Sequence, residues 1–75
     1  MTGTMTEHLA TTMKVQRARL DLTQAELAER AGVTRKSVNA IEAGHMVPST
    51  LLALKLAKVL EVTVEELFAI ELRPD

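Results

Sequence analysis

The feature that most constrains this chain is its punctuation between Thr23 and Gly44. Thr23 stands three residues before Glu26. This is a capping box, in which hydroxyl and carboxylate each satisfy a backbone N–H left unpaired at a helix start. Leu27, Ala28 and Ala31 follow at helical spacing, and Gly32 suits the left-handed position just past a helix end. Thr34 then caps a second segment, whose Val38 and Ile41 share one face and which Gly44 closes. Two short helices are therefore predicted over residues 23–31 and 34–43, with only Gly32 and Val33 between them.

The rest of the chain supplies three more helices. Residues 12–20 carry Met13, Arg17 and Leu20 on one stripe, which Gln16 shares, and Asp21 breaks the segment. Residues 49–60, after Pro48, offer Leu52, Leu56, Ala57 and Leu60 to a core and place Leu51, Lys55 and Lys58 on the wetter side. Thr63 and Glu66 make a second capping box that opens residues 63–69, with Val64, Leu67 and Phe68 pointing inward. Beyond Ala69 the spacing changes: Ile70, Glu71, Leu72 and Arg73 alternate with a period of two, the pattern of a short strand.

Composition agrees with a helical domain. The apolar residues are almost all Leu, Ala, Val and Met, and Phe68 is the one aromatic. That single ring also argues against single-stranded nucleic acid, which is held by stacking on aromatic side chains. A chain of 75 residues is one domain, small enough to be marginal alone. With no cysteine, neither disulfides nor cysteine-ligated zinc can brace it. Only His8 and His45 could offer imidazole, without a metal-ligating spacing, so no metal and no cofactor is expected. No Gly-rich phosphate loop and no Ser/His/Asp set is present, which excludes the common enzyme classes. No stretch is long enough for a bilayer and no secretory signal is visible, so no membrane partner and a cytoplasmic location are expected.

Net charge is −1, which by itself speaks against nucleic acid. Its distribution does not. Residues 8–58 carry +4, whereas residues 59–75 carry −4. A phosphate backbone responds to the charge within about one Debye length, ~8–10 Å, not to the total.

A short, Gly-containing link between two capped helices is the local signature of a helix-turn-helix. In that unit the first helix braces against the DNA backbone and the second enters the major groove by its N-terminal half. The residue types suit the task. Arg35 can donate twice to guanine O6 and N7, Lys36 stands beside it, and Asn39 can bond adenine N6 and N7. Ser37 can reach a base edge or a phosphate, and Ala40 and Ala43 permit close approach. Thr23, Gln24 and Thr34 are candidate DNA-backbone contacts, Gln24 through both its backbone N–H and its amide. Glu42 reads as structural, bonded to backbone or to Arg17.

The runs Thr23-Gln24-Ala25-Glu26-Leu27-Ala28, Ala31-Gly32-Val33-Thr34-Arg35, Ile41-Glu42-Ala43-Gly44 and Pro48-Ser49 resemble the Cro/cI-type (xenobiotic-response-element) helix-turn-helix repressors. The similarity continues through residues 54–60 into Thr63-Val64-Glu65-Glu66-Leu67-Phe68, and so covers residues 12–68. The resemblance implies an all-α, compact five-helix, lambda-repressor-like domain that binds double-stranded operator DNA, usually as a homodimer on a palindrome. By position it assigns Arg35, Lys36 and Asn39 to bases, Gln24 to phosphate, and His45 to a place where relatives put a basic backbone contact. Gln16, Ala43 and His45 depart from the residues common there, as do Thr50 and Leu51, whose order reads as swapped.

The organisation expected is an N-terminal arm or short strand over residues 1–11, the DNA-binding domain over 12–68 and a dimerisation tail over 69–75. Leu9 on one side and Phe68, Ile70 and Leu72 on the other would supply terminal strands that pair two subunits. The competing reading keeps the fold but makes another protein the main partner, as for an antitoxin or anti-repressor.

Overall fold

The structure, a computed structural model, describes residues 4–74. It contains β1 (Met5–Thr11), α1 (Met13–Arg19), α2 (Gln24–Ala31), α3 (Arg35–Glu42), α4 (Thr50–Leu60), α5 (Val64–Leu67) and β2 (Phe68–Pro74). The five helices stand where the caps and apolar spacing put them. The hydroxyls of Thr23, Thr34, Ser49 and Thr63 each accept a backbone N–H three residues on, and the boxes of Thr23 with Glu26 and Thr63 with Glu66 are both closed. Such a cap is worth about 1 kcal/mol, a large share for helices of eight residues or fewer.

Helix ends follow the same logic. Gly32 takes φ 74°, and the N–H of Val33 returns to the Ala28 carbonyl at 2.9 Å. Gly44 takes φ 81°, and the N–H of His45 bonds the Ala40 carbonyl at 2.9 Å. Both are left-handed exits that satisfy otherwise orphaned carbonyls. Asp21 and Glu61 make comparable reversals at φ 56° and φ 60° after α1 and α4.

The core joins every helix. Met13, Leu27, Val38, Ile41, Leu56, Leu60 and Leu67 are fully or almost fully buried, with Leu22, Ala28, Ala31, Leu52, Ala57 and Phe68 around them. Gln16 does not enter it. Its amide donates to Thr12 Oγ1 at 3.4 Å and accepts from Arg19 Nε at 3.1 Å at the domain surface. Arg19 in turn reaches the last carbonyl of α4, that of Leu60, at 2.5 Å.

The expectation of an all-α fold with short terminal strands at a subunit interface holds for the five helices and needs correction for the strands. β1 and β2 form a two-stranded antiparallel sheet within one chain, from Thr11 opposite Phe68 to Met5 opposite Pro74. The strands are longer than the terminal pieces expected from the sequence, and they pair with each other instead of reserving their hydrogen bonds for a second subunit. α5 stops at Leu67 because Phe68 is already extended, at φ −131° and ψ 144°. The short helix leaves its final carbonyls to the other end of the chain. Thr12 N and Thr11 Oγ1 both donate to the Leu67 carbonyl at 3.0 Å, and Thr12 Oγ1 donates to that of Glu66 at 2.8 Å. These bonds root the ribbon in the helical domain, which measures 47 × 22 × 22 Å with it.

Residues directly opposite in an antiparallel pair point to one face. Leu9 opposite Ile70, Glu7 opposite Leu72 and Met5 opposite Pro74 therefore share the face of Phe68. That face changes character along its length. Phe68 is 9% exposed and Leu9 packs against the core, whereas Ile70 is 73% and Leu72 59% exposed. Among the described residues, no helix is long and apolar enough to cross a membrane.

Candidate nucleic-acid interface

α2 and α3 are joined by Gly32, Val33 and the cap Thr34. Val33 packs on the core, so the turn holds the angle between the two helices from inside. The inner face of α3 buries Val38 and Ile41, which leaves Arg35, Lys36 and Asn39 exposed on its outer side. These three line one shallow surface depression of about 310 Å³. Ser37 is half-buried on the same first turn.

Beneath this face lies a polar chain linking three helices. Arg17 Nε donates to Glu42 Oε2 at 2.6 Å, Arg17 Nη2 to Glu42 Oε1 at 3.1 Å, and Arg17 Nη1 to the Leu22 carbonyl at 2.8 Å. Gln24 Nε2 donates to Glu42 Oε1 at 3.0 Å and to Asn39 Oδ1 at 3.2 Å. Burial pushes the Glu42 carboxyl up, but the bonds from Arg17 and Gln24 and the positive charge of Arg17 and Lys14 outweigh it and hold Glu42 below the usual carboxylate range. The same bond with Glu42 raises Arg17 above its ordinary value. The pair thus stays ionised around neutrality, anchoring the last turn of α3 to α1.

The network changes what two candidate contacts have to offer. Both hydrogens of the Gln24 amide are used inside the protein, so its side chain retains only Oε1 towards solvent. A phosphate contact at Gln24 is left to its backbone N–H in the first turn of α2. Asn39 has its Oδ1 engaged and its Nδ2 without a protein partner among the described residues.

Thr23 and Thr34 are caps before anything else. Thr34 Oγ1 accepts from Ser37 N and donates to Ser37 Oγ, each at 3.1 Å. Thr23 accepts from Glu26 N at 3.0 Å, and its hydroxyl also helps to hold the Glu26 carboxylate in its ionised form. His45 is exposed just past α3 with its backbone N–H tied to Ala40. Glu42 was legible as a structural residue; its hold on Gln24 and Asn39 was not, because hydrogen bonds spanning 15 and 18 residues leave no local spacing to detect.

Residues 13–67 match the family model described as helix-turn-helix. Among curated proteins the chain is 48% identical over 59 residues to the HTH-type transcriptional regulator YgzD of Bacillus subtilis, covering 79% of this chain and 89% of that one. It is 44% identical over 59 residues to an HTH-type transcriptional regulator of Methanocaldococcus jannaschii, with the same shares covered. Among solved structures it superposes on the restriction-modification controller protein C.AhdI of Aeromonas hydrophila with a TM-score of 0.69 at 31% identity, covering 72% of this chain and 82% of that one. A Bacteroides fragilis protein at TM-score 0.74 and 24% identity, covering 81% and 98%, shares the fold. Two capped helices around a glycine turn, a basic outer face on the second and these matches lead to one conclusion: the chain belongs to the Cro/cI-type helix-turn-helix family of transcriptional regulators, which are not enzymes.

Proposed function

We propose that this protein is a dimeric, cytoplasmic repressor that binds a palindromic operator in double-stranded DNA by inserting α3 into the major groove. The observation that carries this reading is the grouping of Arg35, Lys36 and Asn39 on the outer face of a helix whose opposite face is locked into the core. Ser37 stands on the same turn. The N–H groups of Gln24 and Ala25 on α2 and of Arg35 and Lys36 on α3, which the caps do not take up, can meet phosphates, with Thr23 and His45 at the edges of the contact.

Dimerisation is supported by the ribbon. A two-stranded sheet is marginal in water unless one face is covered. Here Met5, Ile70 and Leu72 leave that face open beyond the core, and Leu9 and Phe68 continue it into a groove of about 500 Å³ that Val47, Pro48, Leu54 and Val64 help to line. A second copy laid on this surface would cover it and set two α3 helices about 34 Å apart, one turn of DNA.

Selection from random duplexes followed by mobility shift tests the reading. An enriched palindrome whose binding weakens steeply as salt rises supports it. Weak binding that ignores sequence overturns it.

A further inference from the structure

The polar chain beneath α3 dictates which way its amides face. An ionised carboxylate only accepts hydrogen bonds. Glu42 Oε1 lies 3.0 Å from the Gln24 amide, so that amide must present its NH₂. The same nitrogen lies 3.2 Å from Asn39, so Asn39 must present its oxygen to it. Turning either amide over would set acceptor against acceptor or donor against donor. Asn39 Oδ1 is thereby held towards α2, and Nδ2 is left for whatever meets α3.

Arg35 and Lys36 are donors without acceptor capacity. With Asn39 oriented in this way, all three side chains of the exposed cluster offer hydrogens. We infer that the protein reads an acceptor-rich major-groove edge, with Glu42 acting through Gln24 as the positioning residue that makes Asn39 select guanine over adenine. This rests on the DNA-binding reading above. Guanine shows N7 and O6, both acceptors, whereas adenine shows N7 beside an N6 amino donor. An Asn free to turn matches adenine with one donor and one acceptor; Asn39 with its oxygen turned back can donate to adenine only at N7 and leaves the N6 amino group unmet, whereas guanine offers the Asn39 NH₂ two acceptors. The adenine contact expected from residue type alone is thus replaced by a guanine contact.

Random-duplex selection with the full chain, its Asn39→Ala, Gln24→Ala and Asn39→Asp variants tests this. The position whose preference disappears in Asn39→Ala is the one Asn39 reads. There the unaltered protein favours guanine over adenine by roughly tenfold, within what one base contact discriminates. Gln24→Ala keeps the Arg17–Glu42 pair but frees Asn39, and the guanine-to-adenine ratio falls by a similar factor. Asn39→Asp replaces the donor by an acceptor and moves the preference to a base with an amino group. Adenine favoured by the unaltered protein at that position, or a ratio that Gln24→Ala leaves unchanged, overturns the inference while leaving DNA binding intact. Absence of any enriched sequence overturns the DNA-binding reading and this one with it.

Discussion

Arg17 on α1 and Glu42 at the end of α3 meet at 2.6 Å with their side chains 15% and 8% exposed. An ion pair this sheltered costs more to break than to have never made. Arg17→Met leaves the carboxylate with only the Gln24 amide and the field of Lys14, and denaturant unfolding should show a loss of about 3 kcal/mol. Arg17→Met combined with Glu42→Leu should recover most of it. A double variant as unstable as the single one would place the penalty elsewhere than in the stranded charge.

The same pair gives a pH dependence of known sign. Glu42 is held below its ordinary value when folded and returns to that ordinary value when unfolded. The unfolded chain therefore takes up the proton first. The stabilisation is complete while the pH stays above the ordinary value and is lost as it falls through the lower folded value. Glu26 and Glu66 act in the same direction through the backbone N–H bonds of Thr23 and Thr63, at the exposed surface. Thermal melts between neutral and acid pH should show a shallower fall in Tm for Glu42→Gln than for the unaltered protein.

Arg35 and Lys36 lie outside the core, so changing them should separate binding from folding. Arg35→Ala with Lys36→Ala should lower operator affinity at least 30-fold, on the order of 1–3 kcal/mol for each lost base contact, without moving Tm. Fluorescence anisotropy at fixed salt measures the first and calorimetry the second. Unchanged affinity would remove both residues from the interface.

Ile70→Lys with Leu72→Lys puts two charges on the open face of the ribbon. On the proposed dimer, sedimentation at micromolar concentration should report single chains for this variant and pairs for the unaltered protein, and operator binding should weaken as the two half-sites are no longer held together. An undiminished dimer would move the interface off the ribbon.

Gly32 occupies a left-handed conformation with open space where a Cβ would be, so the cost of Gly32→Ala is conformational, not steric. About 1 kcal/mol of stability should be lost in denaturant titration. Gly32→Asn, which tolerates that region, should lose less.

Much of this architecture was written in local patterns. Thr23 with Glu26 and Thr63 with Glu66 announce helix starts because a capping box is complete within four residues. Gly32 and Gly44 announce exits for a similarly local reason. Arg35, Lys36 and Asn39 could be put on one outer face because Val38 and Ile41 fix the inner one. The ribbon was only half legible. Alternation at Ile70 to Arg73 signals a strand, and the arm carrying Leu9 could be offered as a second, but no local pattern says that the two pair within one chain instead of between two subunits. Phe68 illustrates the ambiguity: an aromatic at the border of helix and strand suits a subunit contact or a core equally, and the fold has it in the core. The amide orientation of Asn39 was beyond reach, since it depends on a carboxylate from a later turn and a glutamine from another helix.

The ribbon also sets an order of events. Its root joins Thr11 to Leu67, 56 residues apart, so closing it before the helices pack would carry the full entropy of a long loop. The helices form and dock through nearer contacts, and in doing so bring the two ends together. During synthesis β1 leaves the ribosome first yet waits for the last strand to emerge. Once the helices are packed, Thr12 and Leu67 already lie side by side, so the apolar face of the ribbon comes into being only with the finished domain beneath it.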